Sequence, residues 1–332
     1  MATPPKITDL DYIQFLLAAQ TAFTCTEAAR CSGAPENTPA HDAYSRLLTR
    51  LPPDTKALWE EVQPFVQLQN GVLVLDDSTL DKPYARHMDL RVYHWSGKHK
   101  RSVPGINLIT LLWTDGGAKL PIDCRLYDKP TTGNGKNTSF KEMLATAQER
   151  GFTPSCVCFD SWYSSLDNLK TIRTCGWRWL TCLEKNRQVN PDGQGNVRLD
   201  QVVIPEEGLI VHLRGYGLIR VFCEPINFEE ARYWATNDLD MTQAERAELA
   251  GCAWAIEEYH RGLKQCCGVE GCPARRDRMQ RNHILLSIRA FVRLEVERLR
   301  TGKSWYTIKK DLIRQAIRQY LAQPTLSLLT TA

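Results

Sequence analysis

Between residues 7 and 70 apolar positions recur every three or four residues; beyond that point they bunch into short continuous runs. Leu10, Ile13, Leu16 and Leu17 place an apolar face along residues 9–23, and residues 43–51 and 55–66 repeat the pattern, so three helices are expected. Residues 24–41 are rich in Ser, Thr, Gly, Pro and Asn. Residues 25–29, a turn and residues 41–48 fit a helix-turn-helix variant, whose second helix would meet base edges in the major groove. A plain small helical bundle fits the same residues. At Asn70 the character changes. Val72-Leu73-Val74-Leu75 is an apolar run ended by Asp76-Asp77-Ser78-Thr79, the pattern of a buried strand that stops at polar residues. Further strands are expected at 90–94, 105–113 and 120–127, the last two joined by a turn at Asp115-Gly116-Gly117. Residues 139–150 and 165–175 read as helices around a short buried strand, 156–159, that ends at Asp160, and 177–183 is another strand. Such alternation indicates an α/β domain with a sheet covered on both faces.

Residues 184–236 break that rhythm. A turn-rich stretch at 190–196 is followed by short strand candidates at 202–204, 209–213, 217–224 and 232–236, with no helical pattern between them. From 242 to 323 the chain is again mostly helical. The expected organisation is therefore a helical region over 1–69, an α/β core over 70–183, a β-rich insertion over 184–240, a return to the core over 241–272 and a basic helical region over 273–332.

The chain has 332 residues, room for one large domain or two to three smaller ones, and its 43% apolar content suits a globular core. No run approaches the roughly 18 apolar residues of a membrane span. The N-terminus lacks the basic-then-apolar order of a secretory signal, so a cytoplasmic protein with no membrane partner is expected. Of the twelve cysteines, Cys156 and Cys158 lie in an apolar run, and Cys266, Cys267 and Cys272 lack a second close pair. Reduced, buried thiols fit that spacing better than a disulfide or zinc framework, with His260 leaving a zinc site as the alternative. Net charge is only +4, but cations gather late in the chain. Between Arg261 and Arg318 the acidic residues are only Glu270, Asp277, Glu295, Glu297 and Asp311, so a polyanion surface and a solvated helical face are both open.

Asp76 and Asp160 each follow a short apolar strand. Carboxylates at strand ends in an open α/β sheet point into the crevice where ligands bind, although aspartate is also a common turn residue there. The third element is the amphipathic run Trp254-Ala255-Ile256-Glu257-Glu258-Tyr259-His260-Arg261-Gly262-Leu263-Lys264-Gln265, in which Glu257, Arg261 and Lys264 share one helical face. Three carboxylates can hold two divalent metal ions about 4 Å apart, one activating the attacking oxygen and one stabilising the leaving oxygen of a phosphoryl transfer. The two cations on the same helical face would then contact neighbouring phosphates. No histidine stands at a nucleophile-elbow spacing from Ser78 or Ser161, which argues against a hydrolase triad. No glycine-rich phosphate loop is present, so no nucleotide cofactor is expected.

The blocks Val74-Leu75-Asp76-Asp77-Ser78-Thr79, Cys158-Phe159-Asp160-Ser161-Trp162-Tyr163 and residues 254–265 resemble the three signature blocks of bacterial DDE insertion-sequence transposases. More narrowly, they are similar to the group whose RNase H-like catalytic core carries a β-strand insertion before the glutamate helix, and the tract Tyr93-His94-Trp95-Ser96-Gly97-Lys98-His99 shares that likeness. The resemblance covers roughly residues 70–270. It implies an α/β, RNase H-like fold with a β-rich insertion, flanked by helical N- and C-terminal regions. It implies catalytic carboxylates at Asp76 or Asp77, Asp160 and Glu257, with Asp76, Asp160 and Glu257 holding two Mg²⁺ or Mn²⁺ ions. The implied activity is endonucleolytic cleavage at the element ends, then joining of the freed 3′-hydroxyl to target DNA. The implied partners are double-stranded DNA, as terminal inverted repeats and target, and a second copy of the chain in a homodimer. The implied place of action is the bacterial nucleoid.

Relatives often carry Tyr and Arg seven and four residues before the glutamate. Here those positions are Ala250 and Ala253, so the usual contacts to DNA ends would pass to Arg246 or Arg261. Further DNA-contact candidates are Lys264, Arg275, Arg276, Lys82 with Arg86 and His87, Lys98 with Lys100 and Arg101, and Trp234, an aromatic of the insertion that could stack on an unpaired base at ~1–3 kcal/mol. Trp234 in sheet core, and loop cations that are merely solvated, are the competing readings. Two other functions fit the residues: a non-catalytic end-binding repressor derived from a transposase, and a metal-dependent nuclease without strand transfer.

Overall fold

A computed structural model describes residues 7–33, 38–96, 100–128, 133, 135–227 and 230–325. The chain divides into two compact units, one of Met1–Asp54, Tyr84–Asp89 and Arg261–Ala332, the other of Thr55–Pro83 and Leu90–His260.

The first unit is helical. Helix α1 (Asp9–Ala18) begins at Thr8, whose side chain accepts from the Asp11 amide while the Asp11 carboxylate accepts from the Thr8 amide, a reciprocal capping box. The helical pattern expected to reach residue 23 stops at Ala18. Helices α2 (Cys25–Arg30) and α3 (Ala43–Arg50) pack on each other, and α1 and α3 pack on a long helix near the C-terminus, Asp277–Thr301. Buried polar contacts tie these elements together. The Tyr12 hydroxyl lies 3.0 Å from His283 Nδ1, and Asn282, donating to the Leu48 and Leu51 carbonyls, closes the end of α3 together with Arg278, which donates to the Arg50 and Leu51 carbonyls. Phe23 lies so tightly against Gly268 and Gly271 that a β-carbon at either would come within 2.3 or 2.6 Å of its ring. The last helix, Trp305–Ala322, anchors through Trp305, which packs edge-on to Phe291 and donates its indole N–H to Glu295.

The second unit is built on one sheet. After α4 (Lys56–Val62), its strands are β1 (Val72–Asp81), β2 (Val92–Ser96), β3 (Arg101–Thr114), β4 (Leu120–Leu126), β5 (Cys156–Phe159) and β6 (Trp179–Leu183). The insertion adds β7 (Gln188–Asn190), β8 (Val197–Arg198), β9 (Leu209–Leu213), β10 (Gly217–Pro225) and β11 (Ala231–Thr236). They form an eleven-stranded mixed sheet in the order β2-β3-β1-β5-β6-β11-β10-β9-β7-β8, with β4 on β3. Pairing is parallel from β1 through β5 to β6 and antiparallel elsewhere. The insertion is thus an extension of the core sheet, entered where β11 pairs antiparallel with β6. Continuous apolar runs in β1 and β5 suit central strands buried on both faces.

Helices α5 (Lys136–Glu149) and α6 (Leu166–Thr174) cover one face: Phe140 of α5 meets Phe159 of β5 edge-on and stacks on Tyr163. Helix α7 (Gln243–Ala253) lies over the other face, across β1, β5 and β6, and turns at Trp254 into α8 (Ala255–Cys266). The long C-terminal helices are then α9 (Asp277–Thr301) and α10 (Trp305–Ala322).

The α/β sheet, the β-rich insertion and the helical flanks are as the pattern predicts. Besides the shorter α1, two local expectations are corrected. Residues 202–204 are no strand: Val202 comes directly after a 3₁₀ turn at Leu199–Gln201, and Val203 is 91% exposed, with no apolar surface to bury against. The strand at Val72 does not stop at Asp76 but runs to Asp81, because β3 continues to pair with it. Among the described residues no helix is long and apolar enough to cross a membrane. All twelve cysteines are free.

Candidate active site

The parallel register between β1 and β5 ends at Leu75 opposite Phe159. The next residue on each strand is an aspartate, so Asp76 and Asp160 emerge level with each other where the two strands part. Strand geometry then sorts the neighbours, since successive side chains point to opposite faces. Asp76 shares a face with Val74, and Asp160 with Cys158; these four line one cleft together with Leu180 and Cys182 of β6 and Trp234 of β11. Ala247, Ala250, Ala253, Trp254, Ile256 and Glu257 of α7 and α8 close its other side. The cleft holds about 490 Å³. Asp76, Asp160 and Glu257, far apart in sequence, therefore share one space.

Asp160 has extended backbone and caps the 3₁₀ turn Ser161–Tyr163, its Oδ1 accepting from the Ser161 amide at 2.5 Å. Glu257 sits in the first turn of α8, where the positive end of the helix dipole suits a carboxylate. Its neighbour Glu258 pairs with Lys119 at 3.2 Å. Asp76 is 21% exposed at its side chain, with His260 Nδ1 4.0 Å from Oδ2. Burial, above all, lifts the Asp76 carboxyl well above the usual range, and the nearby charges of Asp77, Glu257 and Asp160 add to the rise.

Asp77 faces the other way. Its Oδ1 accepts from the Tyr163 hydroxyl at 2.7 Å, and its Oδ2 accepts from Asn107 Nδ2 at 2.5 Å and Lys136 Nζ at 2.7 Å. Burial opposes the charge, but Lys136 and the three hydrogen bonds outweigh it and hold the Asp77 carboxyl below its ordinary value. The carboxylate has little accepting capacity left for an ion.

Among the described residues no three His, Cys, Asp or Glu side chains are arranged to hold a metal ion as they stand. The donor set nevertheless suits a hard divalent cation: the three cleft carboxylates supply oxygen ligands, and their mutual repulsion at Asp76 is the charge a cation would relieve.

The other candidates scatter. Trp234 is half-buried in the cleft and not in the sheet core; its Nε1 donates to Glu224 Oε2 at 2.7 Å. Arg246 is buried in the same cleft. Lys82, expected as an exposed loop cation, is only 4% exposed, with its amide bonded to the Pro104 carbonyl, because β1 continues almost to it. Lys98 lies outside the described residues, as does His99; Lys100 and Arg101 are exposed, as are Arg86 and His87. Arg261, Arg275 and Arg276 are exposed, and Lys264 Nζ lies 3.7 Å from Glu270. Two features leave no signal in the linear chain. The Tyr163–Asp77–Lys136 network needs the register of β1 and the placement of α5, and Glu224 joins the cleft only through strand pairing inside the insertion. Trp254 gives more of a signal, since it opens the glutamate block and is 58% exposed at the cleft.

The sequence profile of the Transposase DDE domain family matches residues 68–293. No curated protein matches the chain. Among solved structures the chain is similar to the piggyBac transposase, seen in a synaptic complex with hairpin DNA, with a TM-score of 0.53 and 12% identity over 98% of this chain and 76% of that one. At that identity the likeness is one of fold.

Proposed function

The chain belongs to the Transposase DDE domain family, and on that premise we propose that it cuts DNA at the ends of a bacterial insertion sequence and joins the freed 3′ ends to target DNA. The observation that carries this reading is the convergence of Asp76, Asp160 and Glu257 on one cleft from three separate elements. We assign Asp76, not Asp77, as the first carboxylate, since Asp77 is committed to Tyr163, Asn107 and Lys136 on the opposite face.

In this reading the core is RNase H-like, and Asp76, Asp160 and Glu257 hold Mg²⁺ or Mn²⁺, two ions per site. Bound there, the ions supply the positive charge that an attacking oxygen and a leaving oxygen need in phosphoryl transfer. The chain's residues position the rest. Asp160 is fixed by its turn and Glu257 by the start of α8, so neither depends on a long loop. Trp234 and Trp254 offer aromatic faces beside the carboxylates for bases at the cut end. Water attacks the phosphodiester at the element end, the P–O3′ bond breaks, and the strand leaves with a free 3′-hydroxyl. That hydroxyl attacks a target phosphorus, and the target's own 3′-oxygen departs. Holding two ends together calls for a homodimer on double-stranded DNA, acting at the nucleoid without a nucleotide cofactor. Exposed Arg261, Arg275 and Arg276 are proposed to track phosphates, and the α2–α3 pair to bind duplex DNA without taking part in the chemistry.

The test is incubation with Mg²⁺ and DNA carrying the element's end, wild type against Glu257→Gln. Wild type is expected to cut at the end and the variant to bind without cutting. Equal cutting by both contradicts the assignment, and binding without cutting by both points to an end-binding repressor.

A further inference from the structure

Glu224, on β10, faces cations inside the cleft. Its Oε2 accepts the Trp234 indole N–H at 2.7 Å and lies 3.5 Å from Arg232 Nη1, while its Oε1 lies 3.8 Å from Arg246 Nη1. Both guanidiniums also sit by the Trp234 ring, 5.8 Å and 5.5 Å from its centre for Arg232 and Arg246. Arg246 is 6% exposed at its side chain, and its Nε is 3.3 Å from Gln243 Oε1. A charge-assisted N–H···O bond is normally about 2.7–2.9 Å long, so both ion pairs are loose. Two guanidiniums share one carboxylate, which leaves a surplus positive charge in the cleft that also holds the carboxyl side chains of Asp76, Asp160 and Glu257.

A desolvated arginine held only loosely by its partner is costly unless something else completes it. Planar guanidinium forks match phosphate oxygens two at a time, better than one carboxylate oxygen at 3.8 Å does. The three acidic groups alone would repel a DNA strand, so the strand needs a cationic hold close by. We propose that Arg246 and Arg232, braced against Trp234, form a clasp for one phosphodiester of the DNA strand entering the cleft. Glu224 occupies the clasp in the free protein and gives it up to the phosphate. This rests on the reading of the cleft as a DNA-cutting site, but it concerns binding and not cutting. Glu224 is a positioning residue: it keeps both arginines and the indole in place and sets how much positive charge a strand meets.

The test is DNA binding in EDTA, which removes cleavage from the readout. A fluorescent single strand of about 20 nucleotides and its duplex are titrated across a series of NaCl concentrations with wild type, Glu224→Gln, Arg232→Gln and Arg246→Gln, each checked for its melting temperature. Glu224→Gln is expected to tighten binding about tenfold, the size of one contact to a charged group. Arg232→Gln, at an exposed position that leaves folding intact, is expected to weaken binding and lower the slope of log K against log salt by roughly one. Combined with Arg246→Gln or Arg232→Gln, the Glu224→Gln gain is expected to shrink. Unchanged or weaker binding by a folded Glu224→Gln protein overturns the clasp, as does an unchanged salt slope in Arg232→Gln. Cleavage by the same proteins in Mg²⁺ separates the two ideas. If Glu257 is needed for cutting while Glu224→Gln binds as wild type does, the clasp fails and the cutting site stands; the reverse pattern leaves a DNA clasp without that chemistry.

Discussion

On one face of β1 the Asp77 carboxylate accepts from Tyr163, Asn107 and Lys136; on the other, one residue earlier, Asp76 shares a cleft with Asp160 and Glu257. Both sit on the same strand between the same neighbours, and their titration moves in opposite directions, Asp77 downward and Asp76 upward. The Asp77 side is finished: opposite charge and hydrogen bonds complete the carboxylate, and α5 and the Ser161–Tyr163 turn are pinned to the sheet through it. The Asp76 side is unfinished, since carboxylates face one another across a space that small residues of α7 leave open. Satisfied charge holds a fold together, whereas like charge kept close together waits for a ligand.

Breaking the two faces separately should give effects of different kinds. The largest belongs to the cleft. Asp160→Asn and Glu257→Gln are expected to lower end cleavage by on the order of a thousandfold or more, with a melting temperature close to that of wild type. Activity and melting curves measured on the same preparations check this, and a large loss of stability would place either carboxylate with Asp77 as a structural group.

Next in size is Asp77→Asn, expected to destabilise the fold by about 2–3 kcal/mol in urea unfolding, because Lys136 is left without its carboxylate. The loss should depend on pH. The folded carboxyl titrates below its unfolded value, so its contribution is complete above the ordinary carboxylate range and fades as pH falls through the lowered value. The gap between wild type and Asp77→Asn should therefore close in acid.

Asp76→Asn sharpens the contrast from the other side. The folded carboxyl titrates above its unfolded value, so ionised Asp76 costs stability once pH exceeds the ordinary range. Metal-free Asp76→Asn protein is expected to be more stable than wild type at neutral pH, by about 1 kcal/mol, and the gain should disappear in acid. Smallest is Tyr163→Phe, which removes one hydrogen bond to Asp77 for about 1 kcal/mol and should leave cleavage nearly unchanged at a temperature where the protein is folded.

Much of this site is legible in the linear chain because two of its carboxylates come directly after short apolar runs. Val72–Leu75 and Cys156–Phe159 announce buried parallel strands, and a polar side chain at the carboxyl end of such a strand faces a crevice. The glutamate block is legible from its helical spacing. The choice between Asp76 and Asp77 is not, because either residue fits a strand end. Only the continuation of β1 to Asp81 along β3, with its pairing to β5 ending at Leu75, sets which side chain meets Asp160. Lys82 misleads for the same reason: a strand read as ending at polar residues leaves its lysine in a loop, whereas the further pairing of β1 with β3 carries it into the fold. Glu224 and Arg232 face each other across β10 and β11, a pairing that no local pattern within the insertion specifies.

The most direct test is Mg²⁺-dependent cutting of end-bearing DNA by Asp76→Asn and Asp77→Asn proteins, both assayed at a temperature where each is folded. Asp76→Asn is expected to bind DNA without cutting it, and Asp77→Asn to cut within about tenfold of wild type. Cutting by Asp76→Asn, with none by a folded Asp77→Asn protein, would contradict the assignment of Asp76 to the cleft chemistry.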